Sequence, residues 1–423
     1  MPKLQMPRRM APISPFALFA ALFLGACSTT GKAPVREAAP AACAPCPACA
    51  QCPAVAAPTP AAPPAKPMQA ANWSDLPGWG DDDASAAWPA FLQSCRGLAG
   101  RTQWPLWRPA CDEAKTLDGA ARSPAALRRF FESRFEPYLL TNPDGSTSGM
   151  VTGYYEPLLR GARTRGSAYR EPVLGVPGDL LTIELGDVLP ELKNMRLRGR
   201  LQGNKVVPYY SRAEIVEREK NYADRVLLWV DDAVELFFLQ IQGSGRVKLP
   251  DGSMVRVGYA DQNGHPYQSV GRLLVERGEL KLEQASMQGI QAWARANPAK
   301  LNELLNANPS YVFFREMPVA APKNGEPDGP LGALGVPLSP GRSIAVDPRH
   351  VPLGAPVFLA TTQPNSAAPL NRLMLAQDTG GAIRGVVRAD FFWGFGAEAG
   401  NQAGRMKQSG QMWVLLPPGA APK

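Results

Sequence analysis

The chain has 423 residues, of which 45% are hydrophobic and 19% are charged, so it is long enough for one large domain or two average ones. Only two histidines occur, His265 and His350, which nearly excludes a His-rich metal site and leaves few candidates for a Ser-His-Asp triad. The formal net charge of +8 is too weak and diffuse over this length to indicate nucleic-acid binding.

Residues 1–26 have the layout of a signal peptide, in which basic residues precede an apolar run at 16–24 that is too short to span a membrane. The run ends in Leu-Gly-Ala-Cys27, which resembles the lipobox of bacterial lipoproteins. By that resemblance Cys27 is the lipidated first residue of the mature chain, and Ser28 after it indicates sorting to the outer membrane. We therefore expect lipid anchoring at the periplasmic face of the outer membrane. The alternative is a secreted protein with a chance cysteine.

Residues 27–72 are mostly Ala and Pro and are predicted to form an extended tether, because they contain too few large apolar side chains to bury a core. Inside this segment lie four regularly spaced cysteines, Cys43, Cys46, Cys49 and Cys52. The spacing lacks the longer gap before the last cysteine of an iron–sulfur motif, and an oxidising compartment favours disulfides. A metal site at these cysteines is the less favoured alternative, and we therefore predict no metal or other cofactor.

The folded part is predicted to begin near Trp73 with helices. Helical patterns at about residues 87–98 and 108–121 carry Cys95 and Cys111, which we expect to pair in a short structural disulfide. Further helix signals lie at Ser123-Pro124, at the Ser211-x-x-Glu214 capping box, at about Ser269–Glu276 and at about Ser286–Ala307.

From Gly149 onward, short apolar or alternating runs separated by Gly, Pro and Asp predict strands. These runs are Val151–Tyr155, Val226–Val230, Leu236–Ile241 and Tyr311–Phe314, followed by short strands between 333 and 416. The elements together predict an α+β fold that is mainly β, with N-terminal helices and β-barrel-like pieces.

Two aspartates in the C-terminal part are candidates for acid–base chemistry. Asp378 precedes Thr-Gly-Gly, where the backbone can approach closely and donate to a carboxylate. Asp390 precedes Phe391, Phe392 and Trp393, whose apolar faces would desolvate the carboxyl and raise its pKa, as a general acid requires. The alternatives are a hydrogen-bonded turn for Asp378 and a surface position at a strand end for Asp390.

Several stretches together resemble the membrane-bound lytic transglycosylase A family, whose C-terminal part is called the three-Asp domain. The three aspartates would be Asp347, Asp378 and Asp390, in the same order and settings as in the family. The resemblance covers about residues 85–417. Its other motifs are Thr152-Gly-Tyr-Tyr, Gln242-Gly-Ser-Gly, Asn263-Gly-His-x-Tyr267, Asn308-Pro-Ser-Tyr-Val-Phe-Phe, Glu398-Ala-Gly and Ala403-Gly.

The resemblance implies a double-psi β-barrel domain assembled from residues 73–157 and 317–423, with a smaller β domain, residues 158–316, inserted between. The groove between the two would hold a peptidoglycan glycan strand. The implied activity is that of a peptidoglycan lytic exotransglycosylase, a carbon–oxygen lyase. It cleaves the β-1,4 bond between N-acetylmuramic acid and N-acetylglucosamine without water, because the C6 hydroxyl of the muramoyl unit attacks its own C1 and leaves a 1,6-anhydro end.

The family's catalytic carboxyl carries over to Asp390, which would act first as general acid and then as base. Asp378 would assist, because its negative charge favours the protonated form of Asp390. The residues expected to bind substrate are Thr152, Tyr154, Gln242, Ser244 and Asp347. For Asp347, a place before a proline in a turn favours a structural role, and Glu156 is assigned no role.

Three other functions are compatible with parts of this pattern. A hydrolytic muramidase would need a second acidic residue opposite Asp390, and a non-catalytic murein-binding lipoprotein would use the groove without a competent acid. An aspartic protease is disfavoured because its Asp-Thr-Gly triplet must occur twice or in a homodimer, and here Asp378 begins a single copy. The expected partners are glycan strands, the membrane through Cys27 and cell-wall synthesis proteins, but not nucleic acid.

Overall fold

The predicted signal peptide, the lipidation site Cys27 and the cysteines between 43 and 52 lie outside the part of the chain that the structure describes. The computed structural model describes residues 65–117, 122–192, 195, 197–318 and 327–421. Within these ranges, no helix is both long enough and apolar enough to cross a membrane.

The secondary structure of the described residues combines helices with a larger number of strands. The helices are α1 (Ala84–Leu98), α2 (Trp104–Thr116), α3 (Pro124–Arg134), α4 (Arg212–Glu217), α5 (Ala233–Gln242), α6 (Val270–Glu276), α7 (Met287–Ala296), α8 (Leu301–Asn306) and α9 (Gly396–Arg405). The strands are β1 (Met68–Ala70), β2 (Glu136–Leu140), β3 (Gly149–Glu156), β4 (Leu158–Ala162), β5 (Glu171–Leu174), β6 (Leu181–Ile183), β7 (Leu197–Gln202), β8 (Lys205–Pro208), β9 (Val226–Val230), β10 (Ser244–Lys248), β11 (Met254–Gln262), β12 (Val312–Met317), β13 (Ser343–Val346), β14 (Pro356–Thr362), β15 (Pro369–Asp378), β16 (Arg388–Phe395) and β17 (Lys407–Leu416).

Six strands close into a barrel in the order β17, β14, β15, β13, β16 and β3. The barrel closes because β3 pairs in parallel with β16 and antiparallel with β17. The long strand β17 holds β3 with its first half and β2 with its second half, and β1 extends the sheet at β2. Closure gives each of the six strands a partner on both sides, whereas β1 stays at the edge of the extension. The predicted α+β class with a β-barrel is confirmed.

The N-terminal helices cover part of the barrel with aromatic side chains. Trp88 and Phe91 of α1 meet Phe130 and Phe131 of α3 edge to face, at ring distances of 5.0 Å (Trp88–Phe130) and 5.2 Å (Phe91–Phe131). All four side chains are buried in one core together with strand residues of the barrel. As predicted, α3 begins after Ser123, whose hydroxyl accepts a hydrogen bond from the Ala126 amide.

The strands between residues 158 and 317 form two further sheets, a six-stranded one ordered β12, β11, β10, β4, β9, β5 and a three-stranded one ordered β6, β7, β8. Helix α5 lies between two apolar clusters of this region. Its Leu236 and Leu239 pack under the six-stranded sheet, whereas Val234 and Phe237 pack against α6, α7 and α8.

The predicted strand at Leu236–Ile241 is wrong, because this segment belongs to α5. The helix is capped by Asp232, whose Oδ1 accepts from the amides of Val234 (2.8 Å) and Glu235 (2.9 Å). It ends at Gly243, which adopts the left-handed conformation (φ +79°). Since α5 buries apolar side chains on two sides, its sequence lacks the polar stripe that marks a surface helix.

Three smaller differences concern element boundaries. The predicted helix at 286–307 is two helices, α7 and α8, separated around Pro298, which cannot donate its amide to a helix. Helix α9 interrupts the predicted C-terminal strands, and its glycines weaken the helical signal. Residues 68–70, which we placed in the tether, form β1 through backbone pairing with β2.

Cys95 of α1 and Cys111 of α2 are joined by a disulfide across a sequence separation of 16 residues. A cross-link over a loop of this length stabilises by about 3 kcal/mol, largely by restricting the unfolded chain. We expect the double variant Cys95→Ala/Cys111→Ala to lose about that much free energy of unfolding in a urea titration, with little change in activity. A loss below about 1 kcal/mol would show that the cross-link contributes less than its loop length implies.

Candidate active site

Strand register places three of the predicted site residues in one row across the barrel. Ala345 of β13 pairs with Asp378 of β15 on one side and with Asp390 of β16 on the other. Asp390 in turn pairs with Thr152 of β3. Paired residues of neighbouring strands point to the same face of a sheet, so the Asp390 carboxyl and the Thr152 hydroxyl meet on one face. A register shift that skips Gln377 in β15 brings the Asp378 carboxyl to this face as well.

This face is the outer face of the barrel. Ala389 and Phe391, on either side of Asp390 in β16, belong to the buried barrel core, so Asp390 and Phe392 point outward. The ring of Phe392 packs against that of Tyr154 at 5.2 Å. Of the three aromatic residues expected to surround Asp390, Phe391 points into the core, where its ring contacts that of Trp393 at 4.7 Å.

The Asp390 carboxyl is partly exposed and is held by its neighbour on β3. The hydroxyl of Thr152 donates to Asp390 Oδ1 at 2.6 Å, and Arg388 Nη2 donates to the Thr152 hydroxyl at 2.9 Å. Burial raises the pKa of Asp390 to about 6, against the lowering effects of the Thr152 hydrogen bond and the Arg388 charge, and the charge of Asp378 raises it further. A carboxyl of this kind is suited to give up and take back a proton near neutral pH.

Asp378 is surrounded by hydrogen-bond donors. Its Oδ1 accepts from the amides of Thr379 and Ala333, both at 2.9 Å, and its Oδ2 accepts from the hydroxyl of Tyr154 at 3.0 Å. Burial raises the pKa of Asp378, and these three hydrogen bonds oppose the rise. The pKa of Tyr154 is raised well above its usual value by burial and by the charges of Asp378 and Asp390, so this phenol remains a neutral donor.

Asp347 differs from the other two aspartates because its side chain is fully buried. Its Oδ1 accepts from Arg349 Nε at 2.9 Å and its Oδ2 from the amide of Gly385 at 3.0 Å. Although burial raises it, the Arg349 guanidinium and the Gly385 amide hold the pKa of Asp347 well below its usual range. Asp347 thereby fixes the loop 379–387 between the two other aspartates. With no exposed surface for a sugar, it fits the structural interpretation and not the predicted substrate contact.

Gln242 and Ser244 lie where α5 ends and β10 begins. Gln242 Oε1 accepts from the backbone amide of Tyr155 in β3 at 3.1 Å, which ties the inserted part to the barrel. The side-chain nitrogen of Gln242 remains the part that can donate to a ligand. Both residues are partly exposed, and the left-handed Gly243 between them sets the direction in which β10 leaves the helix.

Glu156, which received no role in the sequence analysis, is a fully buried anion at the end of β3. Its Oε2 accepts from Arg246 Nε at 2.9 Å, and its Oε1 lies 3.0 Å from Arg256 Nε. The Asp328 carboxylate forms an ion pair with each arginine, with an oxygen 2.9 Å from Arg246 Nη1 and the other 2.9 Å from Arg256 Nη2. The Arg246 guanidinium also lies 4.1 Å from the ring centre of Phe395. These four charged groups join β3 to β10, β11 and the segment that returns to the barrel.

A signal for this cluster is present in the strand pairing and not in any single motif. Arg246 and Arg256 are directly opposite each other in the antiparallel pair of β10 and β11. Two like charges in that position repel unless an anion lies between them. A hairpin alignment of the sequence would therefore have pointed to a buried acid, whereas nothing local marks Glu156 as that acid.

The sequence and the fold match a known family of bacterial enzymes. A family model described as the MltA specific insert domain matches residues 150–315, and one described as the 3D domain matches residues 342–416. The membrane-bound lytic murein transglycosylase A of Escherichia coli K12 is 32% identical over 308 residues, which are 71% of this chain and 74% of the relative.

Solved structures give the same result. The crystal structure of MltA from Neisseria gonorrhoeae (monoclinic form) is 39% identical, with a TM-score of 0.71 over 84% of this chain and 94% of the relative. The crystal structure of E. coli MltA with bound chitohexaose is 26% identical, with a TM-score of 0.60 over 84% of this chain and 96% of the relative. Sequence, domain order and fold agree, and the chain therefore belongs to the membrane-bound lytic murein transglycosylase A family.

Proposed function

We propose that this protein is a peptidoglycan lytic transglycosylase in which Asp390 is the single general acid and base. The proposal rests on the surroundings of the Asp390 carboxyl. This carboxyl accepts a hydrogen bond from the Thr152 hydroxyl, belongs to a partly exposed residue, and has a pKa that burial raises to about 6. The family's activity on murein and the chitohexaose bound to the E. coli relative support a glycan as the ligand.

The proposed reaction needs one carboxyl because the substrate supplies the nucleophile. Protonated Asp390 gives its proton to the glycosidic oxygen between N-acetylmuramic acid and N-acetylglucosamine while the bond from that oxygen to C1 breaks. The C6 hydroxyl of the muramoyl unit then bonds to C1, and its proton passes to the Asp390 carboxylate. The products are a 1,6-anhydromuramoyl end and a free N-acetylglucosamine hydroxyl, and Asp390 is protonated again.

Asp378 is proposed as the assistant of Asp390 and not as a base for water. Its two oxygens already accept three hydrogen bonds, from Thr379, Ala333 and Tyr154, which suit an ionised carboxylate and lower its basicity. This occupancy argues against a hydrolytic muramidase, since that enzyme would need a second carboxylate free to activate water.

The glycan groove is proposed to run between the barrel and the inserted sheets, in the domain arrangement expected from the sequence. Gln242 and Ser244 are its proposed polar sugar contacts, and Tyr154 is a proposed contact through its ring, because its hydroxyl is bonded to Asp378 and all three residues are partly exposed. Thr152 is assigned to Asp390 instead, because its hydroxyl is already bonded there. Asp347 is assigned to the support of the loop 379–387.

The cellular location is proposed from the N-terminal sequence. Residues 1–26 would be a signal peptide and Cys27 the lipid anchor at the periplasmic face of the outer membrane. The relatives' printed names, which say membrane-bound, support a membrane-associated enzyme. Cell-wall synthesis proteins remain the expected protein partners.

The products released from purified sacculi test the proposed function. We expect mass spectrometry to find muropeptides one water lighter than the hydrolysed form. Reducing ends would identify a hydrolase, and binding of sacculi without any release would identify a murein-binding protein that is not an enzyme.

The pH dependence of the reaction follows from the state of Asp390. Because the acid must be protonated when the glycan binds, we expect kcat/KM to fall as the pH rises through about 6, the value to which burial raises the pKa of Asp390. Rates of anhydro-muropeptide release at closely spaced pH values would show this fall, which is the alkaline limb of the pH profile. A rate that stays constant or rises across that range would exclude Asp390 as the acid.

Replacing Asp378 with Asn is expected to shift this limb to lower pH. The charge of Asp378 raises the pKa of Asp390, so the neutral amide would let Asp390 lose its proton at lower pH. With the amide oxygen in the place of Oδ1, the side chain still accepts from the Thr379 and Ala333 amides, and its NH2 can donate to the Tyr154 hydroxyl oxygen, which limits the structural change. Asp251→Asn, in an exposed turn, is the matched control and should leave the limb in place. A limb that moves to higher pH in Asp378→Asn would contradict the assigned role.

A further inference from the structure

Three side chains on the outer face of the barrel form a chain of hydrogen bonds that ends at the proposed acid. Arg388 and Asp390 lie two residues apart on β16, and Thr152 of β3 lies beside Asp390. Arg388 Nη2 is 2.9 Å from the Thr152 hydroxyl, which is 2.6 Å from Asp390 Oδ1. No function was expected for Arg388 from the sequence.

The guanidinium is fixed in place by its other contacts. Arg388 is only 8% exposed, and its Nη1 donates to the backbone carbonyl oxygens of Met150 (3.2 Å) and Ala389. These carbonyls lie on β3 and β16, the same two strands that carry Thr152 and Asp390. The Arg388 side chain therefore bridges β3 and β16. It cannot turn toward solvent without losing hydrogen bonds inside a buried site.

The chemistry of these groups fixes the direction of both hydrogen bonds. An arginine side chain has five N–H donors and no acceptor, so the Thr152 oxygen must be the acceptor in its bond with Arg388. The ionised Asp390 carboxylate can only accept, so the single hydroxyl hydrogen of Thr152 is directed to its Oδ1, and a proton that the carboxyl takes up is favoured on the oxygen without this hydrogen bond. That oxygen is Oδ2.

We propose that Arg388 is a positioning residue for the reaction, which orients the Thr152 hydroxyl and so confines the acidic proton to Oδ2 of Asp390. This inference rests on the proposed function of Asp390 as general acid. A proton held on one oxygen is presented to the glycosidic oxygen in a single geometry, whereas a freely rotating hydroxyl would allow it on either oxygen.

Arg388 also acts on Asp390 through its charge. The charged and titratable groups that face Asp390 are Arg388 on its own strand, Asp378 on β15 and Tyr154 on β3, and Lys407 of β17 lies one strand further, opposite Thr152. Arg388 opposes the rise that burial causes in the pKa of Asp390. Its removal should therefore move the alkaline limb of activity to higher pH, opposite to the effect of Asp378→Asn.

The test uses the full chain and the release of anhydro-muropeptides from purified sacculi. Arg388→Met removes the donor and the charge, Arg388→Lys keeps the charge, and Thr152→Val removes the hydroxyl that links the two residues. The double variant Arg388→Met/Thr152→Val tests whether the two side chains act through one another. Arg295→Met, an exposed position on α7, controls for the loss of one positive charge.

We expect Arg388→Met to lower kcat about tenfold with little change in KM, and to move the alkaline limb to higher pH. Arg388→Lys should return the limb toward its wild-type position, and the double variant should lose little more than Thr152→Val alone. Arg295→Met should match the wild type.

The proposal is overturned if Arg388→Met folds and keeps the wild-type kcat and pH limb, or if the losses in the double variant simply multiply. If Arg388→Met does not fold, Thr152→Val provides the test. A wild-type kcat and a wild-type alkaline limb in Thr152→Val would contradict the proposed role of the hydrogen bonds from Arg388 through Thr152 to Asp390. A wild-type protein that releases no anhydro ends would instead refute the proposed function itself, so the two failures are distinguishable.

Discussion

The variant Asp390→Asn is expected to lose activity by a factor of about 10² to 10⁴, the usual contribution of a general acid. Asparagine has the same shape, and its amide oxygen can still accept from the Thr152 hydroxyl that holds the carboxyl in the structure. What it lacks is a proton to give to the glycosidic oxygen. We therefore expect the variant to fold and to bind sacculi as the wild type does.

The control for this variant is Asp144→Asn, which makes the same chemical change in an exposed turn. It should retain wild-type release of muropeptides. The assignment of Asp390 is contradicted if Asp390→Asn keeps more than about a tenth of the wild-type rate, because the acid would then be another group.

The second large effect is expected at Glu156, which holds the inserted part against the barrel. Glu156→Gln would leave Arg246 and Arg256, both largely buried, facing each other with Asp328 as their remaining anion. Breaking a buried ion pair by removal of one partner costs about 3–5 kcal/mol, because a buried charge is left uncompensated. We expect a loss of this size in the free energy of unfolding, measured by urea denaturation at neutral pH.

An exposed ion pair provides the matched control. Glu316 pairs with Arg163 near the surface, and both side chains are more than a third exposed. Glu316→Gln should change the free energy of unfolding by less than about 1 kcal/mol. If Glu156→Gln were no more destabilising than Glu316→Gln, the buried cluster would not be what joins the two parts of the chain.

Sequence patterns were sufficient for the elements that carry strong local signals. The strand Val226–Val230 has its predicted bounds, and α3 begins after its predicted cap, Ser123. The Ser211 capping box opens α4 as expected. In each of these cases the apolar spacing or the cap specifies the element without help from distant residues.

Sequence patterns failed where tertiary packing decides the outcome. Helix α5 has apolar side chains on two faces because two separate cores cover it, so its pattern resembles a buried strand. The segment 68–70 forms a strand only because β2 provides a backbone partner. This partner is far along the chain, since Met68 pairs with Leu140, and no local propensity could have shown the pairing.

The sequence predicted some residues of the candidate site and little of its geometry. The family resemblance identified Asp378 and Asp390, and register between strands shows why they meet at Ala345. The contacts of Arg388 and Glu156 involve partners far along the chain, 236 residues away for Arg388 and Thr152. Such residues become visible only once the barrel has closed.

Isotope labelling tests the central claim most directly. Sacculi digested by the wild-type protein in water enriched in oxygen-18 should give anhydro-muropeptides with no label at C1, because the new bond to C1 comes from the substrate's own C6 hydroxyl. Reducing-end muropeptides with one oxygen-18 atom at C1, formed in place of the anhydro ends, would mean that water is the nucleophile. That result would contradict the single-carboxyl mechanism and require a second catalytic base beside Asp390.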